Sequence, residues 1–432
     1  MKTYKYPLKS AKNKIKYISE RFLKFSQADY DNVSLWLEDI KKRGDRALIK
    51  YINKFDSKRV NSKSLKVSKK EFESALRKVD SLFLKTLDKA LVQIKSFHLK
   101  QKQNSWIDTP RSGVMLGQLV KPLNAAGIYV PGAKSGKTPL ISSLLMGVIP
   151  AKVAKVPLIA VMTPPMENGE INPYILAAAY KLDIDCVFKA GGAWAIAALA
   201  YGTKIVPKVD IIAGPGNIYV TLAKKIISQT TKIDMIAGPS EILIIADKKA
   251  NPEFIAADLL SQAEHDVMSS SILITNCEKL AKTTIDCLKN QIEKLARKDI
   301  AKKAIQDFGA IFLVDDIKTG IELSNQLAPE HLELIVENPF NYLDKIKNTG
   351  ALFLGPFTPE PIGDYIAGPN HILPTAGTAR FSSALSVEHF TKKTSLIHYS
   401  KQAFKKEADH VIRLAKIEGL DAHANAIKIR KK

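Results

Sequence analysis

The chain has few cysteines, no long uninterrupted apolar run and few arginines, and each shortage excludes a class of protein. Three cysteines among 432 residues, without C-x-x-C spacing, argue against a disulfide framework and against a thiolate zinc site. The most apolar stretch, residues 138–162, is interrupted by serine, lysine and proline, unlike a membrane span. Residues 1–21 show no apolar core of a signal peptide. We therefore expect a cytoplasmic protein, in which nitrogen and oxygen ligands would hold any metal.

The net charge of +22 comes from lysine, with 55 lysines against 10 arginines. Arginine is the side chain that recognises phosphates and bases with paired donors, so this bias does not favour nucleic-acid recognition. Residues 1–105 hold 27 basic and 11 acidic side chains, whereas residues 129–270 hold 13 and 12. Because the excess lies outside the segment richest in candidate chemistry, we do not expect nucleic-acid binding as the main function. The charge is compatible with attraction of anionic substrates or cofactors.

The apolar pattern changes near residue 120. Before it, the chain has helical patterns, with capping sequences at Ser26–Asp29 and Ser68–Glu71 and one amphipathic stretch from Phe72 to Phe97. After it, short apolar runs alternate with helical patterns, which predicts βαβ units and mostly parallel sheets. The predicted strands are 127–130, 158–162, 185–188, 209–212, 242–246, 271–275, 309–314 and 332–336. The predicted helices of the first unit are 142–154, 173–182, 193–201 and 218–228.

Two turns have the strand–glycine–helix form that directs backbone N–H groups at a phosphate. They are Ala190-Gly191-Gly192, before a helix at Ala193, and Gly214-Pro215-Gly216-Asn217. The chain contains no G-x-G-x-x-G fingerprint. Either turn alone is explained by the backbone of a tight turn, but two in one sheet favour a cofactor crevice.

Side chains suited to metal binding or proton transfer occur in separate segments. Gln262 and His265 are three residues apart, on one face near the C-terminal end of a helix that should begin at Asn251-Pro252. Spacing alone favours an ordinary capped helix end with polar surface side chains. Glu330-His331 has the form of a helix start. A histidine in a first helical turn is disfavoured as a cation, so we expect a neutral ring that can accept a proton.

Two further candidate regions lie downstream. Residues 355–365 form a Pro/Gly-rich segment that we expect to be a rigid loop carrying Asp364, with His371 shortly after it. Glu418 and His423 lie near the end of the chain and by default are exposed. We interpret the remaining partnerless histidines as structural or exposed; they are His98, His398 and His410.

In this order, the segments resemble the histidinol dehydrogenase family. The matching segments are Ala237–Glu241, Leu260–Asp266, Ala328–Glu333, Gly363–Tyr365 with Gly368–His371, and Glu418–His423. They follow the family's order and span the chain from about Ser26 to Ala426. One such segment is weak evidence, whereas five in register are specific.

The resemblance implies an α/β fold of two incomplete Rossmann-like parallel-sheet domains with a helical N-terminal extension and a C-terminal tail. The extension would be residues 1–26, and the cofactor domain residues 129–238. A discontinuous domain of residues 27–128 and 239–386 would carry the metal and catalytic residues. The tail, residues 387–432, would reach the partner's active site in a homodimer.

The resemblance also implies a zinc-dependent, NAD-linked, four-electron oxidation of L-histidinol to L-histidine through an aldehyde, the last step of histidine biosynthesis. His331 would be the base toward the alcohol and then the hydrate, and Glu330 would activate the water. One zinc ion per subunit would be held by Gln262, His265, Asp364 and His423. The substrate would contact Ser240, Gln262, His265, His331, Asp364, His371, Glu418 and His423. NAD would contact Tyr129 and Asn217.

Two segments depart from the family's pattern. Trp194 stands where the family usually has glutamine at a cofactor contact, and the segment Gly132–Pro139 departs from a form richer in Pro and Gly. Both departures concern the binding of the nicotinamide nucleotide more than the type of reaction. One alternative is a relative that oxidises another primary alcohol, such as a sulfonated diol. The other is a basic nucleic-acid-binding protein on a degenerate scaffold. Glu418 and the full candidate catalytic set weigh against both.

Overall fold

The computed structural model describes residues 1–21, 25–133 and 136–431, which form two parallel sheets, two antiparallel sheets and surrounding helices. The helices are α1 Lys9–Ser19, α2 Gln27–Arg43, α3 Asp45–Phe55, α4 Lys69–Lys78, α5 Ser81–Leu99, α6 Ile141–Val153, α7 Pro173–Lys181, α8 Gly192–Tyr201, α9 Ile218–Ile227, α10 Pro252–Ala263, α11 Glu278–Ile292, α12 Lys298–Phe308, α13 Ile317–Leu327, α14 Glu360–Tyr365, α15 Lys401–Ile417 and α16 Asp421–Lys431. Short 3-10 helices are Pro339–Lys345, Thr378–Arg380 and Val387–Phe390.

The strands are β1 Thr3–Lys5, β2 Trp106–Arg111, β3 Val114–Pro122, β4 Ala125–Tyr129, β5 Gly132–Ala133, β6 Thr138–Pro139, β7 Leu158–Thr163, β8 Val187–Lys189, β9 Ile211–Ala213, β10 Lys232–Ile233, β11 Glu241–Ala246, β12 Ser270–Thr275, β13 Ala310–Leu313, β14 His331–Ile335, β15 Ala351–Leu354 and β16 Thr391–Tyr399. Each predicted strand and helix of the two α/β units has a counterpart in this set. Lys134 and Ser135, in the segment that departs from the family's pattern, lie outside the described residues.

The six-stranded sheet has the order β1-β13-β12-β11-β14-β15, with every pair parallel. Its central strand β11 reads Glu-Ile-Leu-Ile-Ile-Ala and is apolar on both faces. This composition suits a parallel strand covered on both sides. Helices α10, α11 and α12 cover one face of the sheet, and α1 and α13 cover the other.

The five-stranded sheet has the order β10-β9-β4-β7-β8 and is also parallel throughout. Helices α4 to α7 build the apolar layer on one face, and α2, α3, α8 and α9 build it on the other. The chain runs outward from β4 to β7 and β8 and then returns to β9 on the opposite side of β4. Such a reversal opens a crevice at the carboxyl ends of the adjoining strands.

The packing groups the elements differently from the expected domains. Residues 27–128 supply β4 and helices α2 to α5, which pack with the five-stranded sheet and not with the six-stranded one. Within residues 1–26, β1 is an unexpected strand that pairs with β13 at the edge of the six-stranded sheet. The boundaries of the domains themselves stay a prediction.

Several local expectations were wrong for identifiable reasons. The single helix expected from Phe72 to Phe97 is two, because Asp80 caps α5 by accepting the N–H of Phe83 at 2.7 Å. His331 begins a strand, not a helix, because it pairs with Ile242 in the parallel ladder. The expected loop at 355–365 ends in the short helix α14, which starts after Pro359.

The C-terminal part forms an arm. Strand β16 pairs with β3 along nine residues, and β2 completes this antiparallel ribbon. The two last helices pack against each other, and α15 is bound to the ribbon where Glu407 accepts from Tyr399 Oη at 2.8 Å. Large apolar side chains of this arm are exposed; they are Leu414, Ile417 and Ile429.

None of the helices in the described ranges is long and apolar enough to cross a membrane.

A buried ion pair fixes the turn after β9. Lys224 on α9 pairs with Asp234, and the side chains are 3% and 0% exposed. The ammonium also donates to the Gly214 carbonyl at 2.9 Å, while Asp234 accepts the Gly214 N–H at 2.8 Å. Gly214 has φ 124°, and a Cβ there would lie 2.0 Å from the Tyr129 carbonyl oxygen, so only glycine fits.

We predict that Lys224→Met lowers the free energy of unfolding by about 3–5 kcal/mol, because the Asp234 carboxylate would remain buried without its partner. Urea unfolding at neutral pH measures the change. Lys204→Met is the control, since this lysine is exposed and should change the value by less than about 0.5 kcal/mol. Equal effects of the two substitutions would contradict the prediction.

Candidate active site

A cavity of about 160 Å³ lies where the two parallel sheets meet. The amino ends of β11 and β14 form one wall, and the turn after β9, with Gly214 and Pro215, forms another. The five-stranded sheet thus contributes its carboxyl edge, as expected for an open α/β sheet. The six-stranded sheet contributes its amino edge. The cavity brings together seven of the expected site residues: Ser240, Gln262, His265, Glu330, His331, Asp364 and His371.

Glu241, the first residue of β11, binds the Glu330-His331 pair at three points. Its backbone N–H donates to Glu330 Oε2 at 2.9 Å, and its own Oε2 accepts the Glu330 N–H at 3.3 Å. Its carbonyl oxygen lies 2.8 Å from His331 Nδ1. A carbonyl only accepts, so Nδ1 carries the proton and Nε2 of a neutral ring is the free lone pair.

Burial favours the uncharged forms of both side chains, the neutral imidazole of His331 and the protonated carboxyl group of Glu330. The two side chains are 4% and 10% exposed. Burial lowers the pKa of His331, opposed by the charge of Glu360, and the expected cause, a helix terminus, is absent. Burial also raises the pKa of Glu330 well above its ordinary value, helped by the nearby charge of Glu241.

Several carboxyl groups lie on the Nε2 side of His331. Glu360 Oε1 lies 3.8 Å from His331 Nε2, and the Glu360 N–H donates to Glu333 Oε1 at 2.8 Å. Burial raises the pKa of Glu333 well above its ordinary value and that of Asp258 to about 6. Burial together with the charge of Glu360 raises the pKa of Asp364 to about 9. Such a concentration of acids is what a bound cation would relieve.

The donor set fits a divalent metal. His331, Glu360 and Asp364 can each offer one ligand atom, all within 4.8 Å of one another. Glu360 Oε1 is buried without a hydrogen-bond partner among the described residues. Gln262 and His265 lie in the same cavity, so Asp364 is common to this cluster and to the ligand set that the resemblance implies. All these donors are nitrogen or oxygen, which suits zinc and other borderline metals.

Helix α10 carries Gln262 and leads to His265, and it begins at the predicted cap. Asn251 Oδ1 accepts the Glu253 N–H at 2.9 Å, and Pro252 occupies the first turn. Gln262 lies in the last turn and is 1% exposed, whereas His265 follows the helix end and is exposed at the rim.

His371 is held beside Asp364 by its neighbours. Its Nδ1 lies 3.1 Å from the Asp364 carbonyl oxygen, and burial lowers its pKa to about 4. The preceding Asn370 is anchored deep in the other unit, because its Nδ2 donates to the Met146 carbonyl at 2.7 Å. Nδ2 also lies 3.3 Å from His98 Nε2.

The two glycine turns do not present their first N–H groups to a ligand. The Gly191 N–H donates to Asp56 Oδ2 at 3.0 Å, and the Gly192 N–H donates to Tyr129 Oη at 3.1 Å. The Gly214 N–H is taken by Asp234. Internal carboxylates thus occupy positions at which a phosphate would bind in a fingerprint turn, which accounts for the missing fingerprint.

Trp194 belongs to the same arrangement. Its Nε1–H donates to Asp56 Oδ2 at 2.8 Å, and its indole stacks on Phe55 with ring centroids 4.9 Å apart. Burial raises the pKa of Asp56 to about 6. The ring is 7% exposed and lies against Gly192, where a Cβ would be 2.4 Å from it. At this position the side chain fills space in the protein and leaves little surface for a nucleotide.

Four expected site residues lie outside the cavity. Tyr129 ends β4 and is 4% exposed, and Asn217 caps α9 by accepting the Tyr219 and Val220 N–H groups at 3.1 Å. Both lie at the carboxyl edge of the five-stranded sheet. Glu418 and His423 lie on the C-terminal arm, are exposed, and do not line the cavity of their own chain.

Sequence reasoning did not single out Glu241, Glu333 and Glu360. One signal was available for Glu333, since a carboxylate inside the apolar strand Leu332–Ile335 is costly unless it has a role. Glu241 resembles an ordinary strand start. Its importance depends on contacts with Glu330, 89 residues away.

Comparison with known proteins identifies the family of the chain. The sequence model for histidinol dehydrogenase matches residues 21–431. The chain belongs to the histidinol dehydrogenase family. Histidinol dehydrogenase from Clostridium acetobutylicum is 50% identical over 398 residues, covering 92% of this chain and 91% of the relative. The protein of that name from Listeria monocytogenes is 52% identical over 394 residues, covering 91% of each chain.

A solved structure agrees with the sequence matches. The crystal structure of histidinol dehydrogenase from Elizabethkingia anophelis has a TM-score of 0.93 and 41% identity, covering 100% of this chain and 98% of that one. The expected family, the α/β fold class and the enzyme class, an NAD-dependent oxidoreductase, are therefore confirmed.

The buried His98 predicts a pH dependence of stability. Its Nδ1–H donates to the Ile94 carbonyl at 2.8 Å, and burial lowers its pKa below the ordinary 6.5. Below that ordinary value the unfolded chain binds a proton that the folded chain resists. Stability is therefore lost as the pH falls. Urea unfolding should show that His98→Gln loses about 1 kcal/mol less than the wild type between about pH 7.5 and about pH 5.5.

The exposed His410 provides the control for this experiment. His410→Gln should keep the pH dependence of the wild type. If His98→Gln keeps it too, His98 is not the group that titrates.

Proposed function

We propose that this chain catalyses the four-electron oxidation of L-histidinol to L-histidine, in two NAD-linked steps through an aldehyde, as the last step of histidine biosynthesis. Membership of the histidinol dehydrogenase family supports the substrate and the pathway. The observation that carries the mechanism is the neutral His331 beside Glu330 in one cavity, with its Nδ1 held by the Glu241 carbonyl.

His331 is the base of both oxidations. Its Nε2 lone pair accepts the hydroxyl proton of the alcohol while a hydride leaves the adjacent carbon. The same nitrogen then accepts a hydroxyl proton of the aldehyde hydrate. The fixed Nδ1–H tautomer supports this role because no rearrangement of the ring is needed before the proton transfer.

Glu330 activates the water that adds to the aldehyde. Its Oε2 accepts from the Glu241 N–H, which fixes the orientation of the carboxyl group beside His331. A carboxyl group whose pKa lies well above its ordinary value is a stronger base once ionised. The other oxygen then abstracts a proton as the water attacks the carbonyl carbon.

Gln262, His265, Asp364 and His423 would hold one zinc ion per subunit, and zinc bound there would anchor the imidazole of the substrate. A metal bound by the alternative cluster of His331, Glu360 and Asp364 would take the lone pair of the imidazole that serves as the base. We therefore favour the first set. Ser240, His371 and Glu418 would complete the substrate contacts.

Tyr129 and Asn217 would contact NAD, which would accept the hydride in each step. Both residues lie at the carboxyl edge of the five-stranded sheet, next to the turn at Gly214 that lines the cavity. Because Trp194 and Asp56 close the neighbouring turn, the nucleotide would bind along the surface on the β9 side.

The active protein would be a homodimer in which each C-terminal arm completes the partner's site. His423 and Glu418 do not line the cavity of their own chain, and the arm exposes Leu414, Ile417 and Ile429. A second copy that covers these side chains would remove them from water. A cytoplasmic location stays a prediction from the cysteine content.

The first experiment is NADH formation from a limiting amount of L-histidinol by zinc-loaded protein. We expect two NADH per histidinol, loss of activity on chelation and recovery with zinc. One NADH would mean that the aldehyde is released and that Glu330 does not act as proposed. No NADH from L-histidinol, but turnover of a sulfonated diol, would favour the alternative substrate.

A complementation experiment tests the shared site. His331→Asn and His423→Ala should each be inactive, and refolding an equal mixture should restore about a quarter of wild-type activity, since half of the dimers would contain one intact site. Refolded single variants are the controls. No activity in the mixture, with heterodimers shown to be present, would mean that His423 serves its own chain.

A further inference from the structure

Arg21 is a buried cation that lies outside the cavity. It contacts Glu241, which in turn contacts Glu330 and His331 in the cavity. It follows α1, and its side chain is 1% exposed. Its Nη2 donates to Glu241 Oε1 at 2.8 Å, and its guanidinium lies over the Phe308 ring, 5.5 Å from the centroid. Arg21 does not line the cavity. Any effect on the reaction must therefore pass through Glu241.

Glu241 links this cation to both proposed catalytic residues. One carboxylate oxygen accepts from Arg21, and the other accepts the Glu330 N–H at 3.3 Å. The backbone of the same residue holds Glu330 Oε2 and His331 Nδ1. A rotation of the Glu241 side chain would remove the acceptor of the Glu330 N–H and disturb the amino end of β14.

The ion pair between Arg21 and Glu241 offsets the repulsion between Glu241 and Glu330. Glu241 and Glu330 are two nearly buried carboxyl groups that interlock, and a second anion beside Glu330 is unfavourable without a counter-charge. A guanidinium keeps its proton in proteins and forms planar, directional bonds to carboxylates. Burial raises the pKa of the Glu241 carboxyl group, and the charge of Arg21 opposes this rise, while the bond to Oε1 restricts rotation of the side chain.

We propose that Arg21 is a positioning residue for the reaction, which holds Glu330 and the His331 ring in place through Glu241. The inference rests on the proposed function for the roles of Glu330 and His331. Two of the proposed zinc ligands, which would anchor the imidazole of the substrate, lie on other elements: Gln262 on α10 and Asp364 on α14. Loss of Arg21 should therefore affect the chemical steps more than the binding of metal and substrate.

The test compares Arg21→Met, Arg21→Lys and the control Lys16→Met in the zinc-loaded dimer. Lys16 lies on α1 and is 75% exposed. For Arg21→Met we expect kcat to fall about 10- to 100-fold, with zinc content and the KM for L-histidinol within about twofold of wild type. NADH formed per histidinol should fall below two, because a misplaced Glu330 lets the aldehyde escape. Arg21→Lys should recover part of both losses, and Lys16→Met should match wild type.

Nitrogen-15 spectra of histidine-labelled protein give a readout that does not depend on turnover. The signals of His331, identified by their loss in His331→Asn, should shift in Arg21→Met and shift less in Arg21→Lys. A folded Arg21→Met with wild-type kcat, two NADH per histidinol and unchanged His331 signals would overturn the inference.

If Arg21→Met does not fold, Arg21→Lys decides in the same way. A lower kcat with an unchanged KM would support the inference, and wild-type kcat with unchanged His331 signals would overturn it. Wild-type protein that forms no NADH from L-histidinol would instead overturn the proposed function, and the nitrogen spectra would still decide the role of Arg21.

Discussion

The site depends on the interlocking of Glu241 with Glu330 and His331. Two neighbouring parallel strands, β11 and β14, begin at Glu241 and His331, and Glu330 directly precedes β14. The three contacts of Glu241 with Glu330 and His331 extend the ladder of the sheet into the cavity. The scaffold therefore orients the imidazole of His331 and the carboxyl group of Glu330 by backbone geometry, which is more rigid than a loop would be. The same contacts connect the site to the N-terminal segment through Arg21.

Burial decides the electrostatics of this site. The imidazoles of His331 and His371 are easier to keep neutral than in water, and the carboxyl groups of Glu330, Glu333 and Asp364 are harder to ionise. A neutral imidazole is ready to accept a proton. A cluster of buried carboxyl groups is stable only if the groups are protonated or lie near a cation, which is the physical reason to expect a metal here.

The five-stranded sheet has the topology of a nucleotide-binding unit, but side chains of the protein itself accept the N–H groups of its glycine turns. Asp56 and Asp234 occupy the N–H groups of Gly191 and Gly214, and Trp194 packs over the first turn. Asp56 accepts at the N-cap residue of α8, and Asp234 accepts in the turn that precedes α9. A glycine cradle for a phosphate is therefore not available at either turn.

Local sequence determined the strands, most helices and their caps, because periodicity and capping act over a few residues, as at Asn251-Pro252. Five motifs in order also determined the family. Only the tertiary structure decided that the amino edge of one sheet faces the carboxyl edge of the other, that Glu241 holds Glu330, 89 positions away, and that Asp56 accepts from the turn at Gly191. Such contacts leave no local pattern, because they arise from the packing of distant segments around two apolar cores.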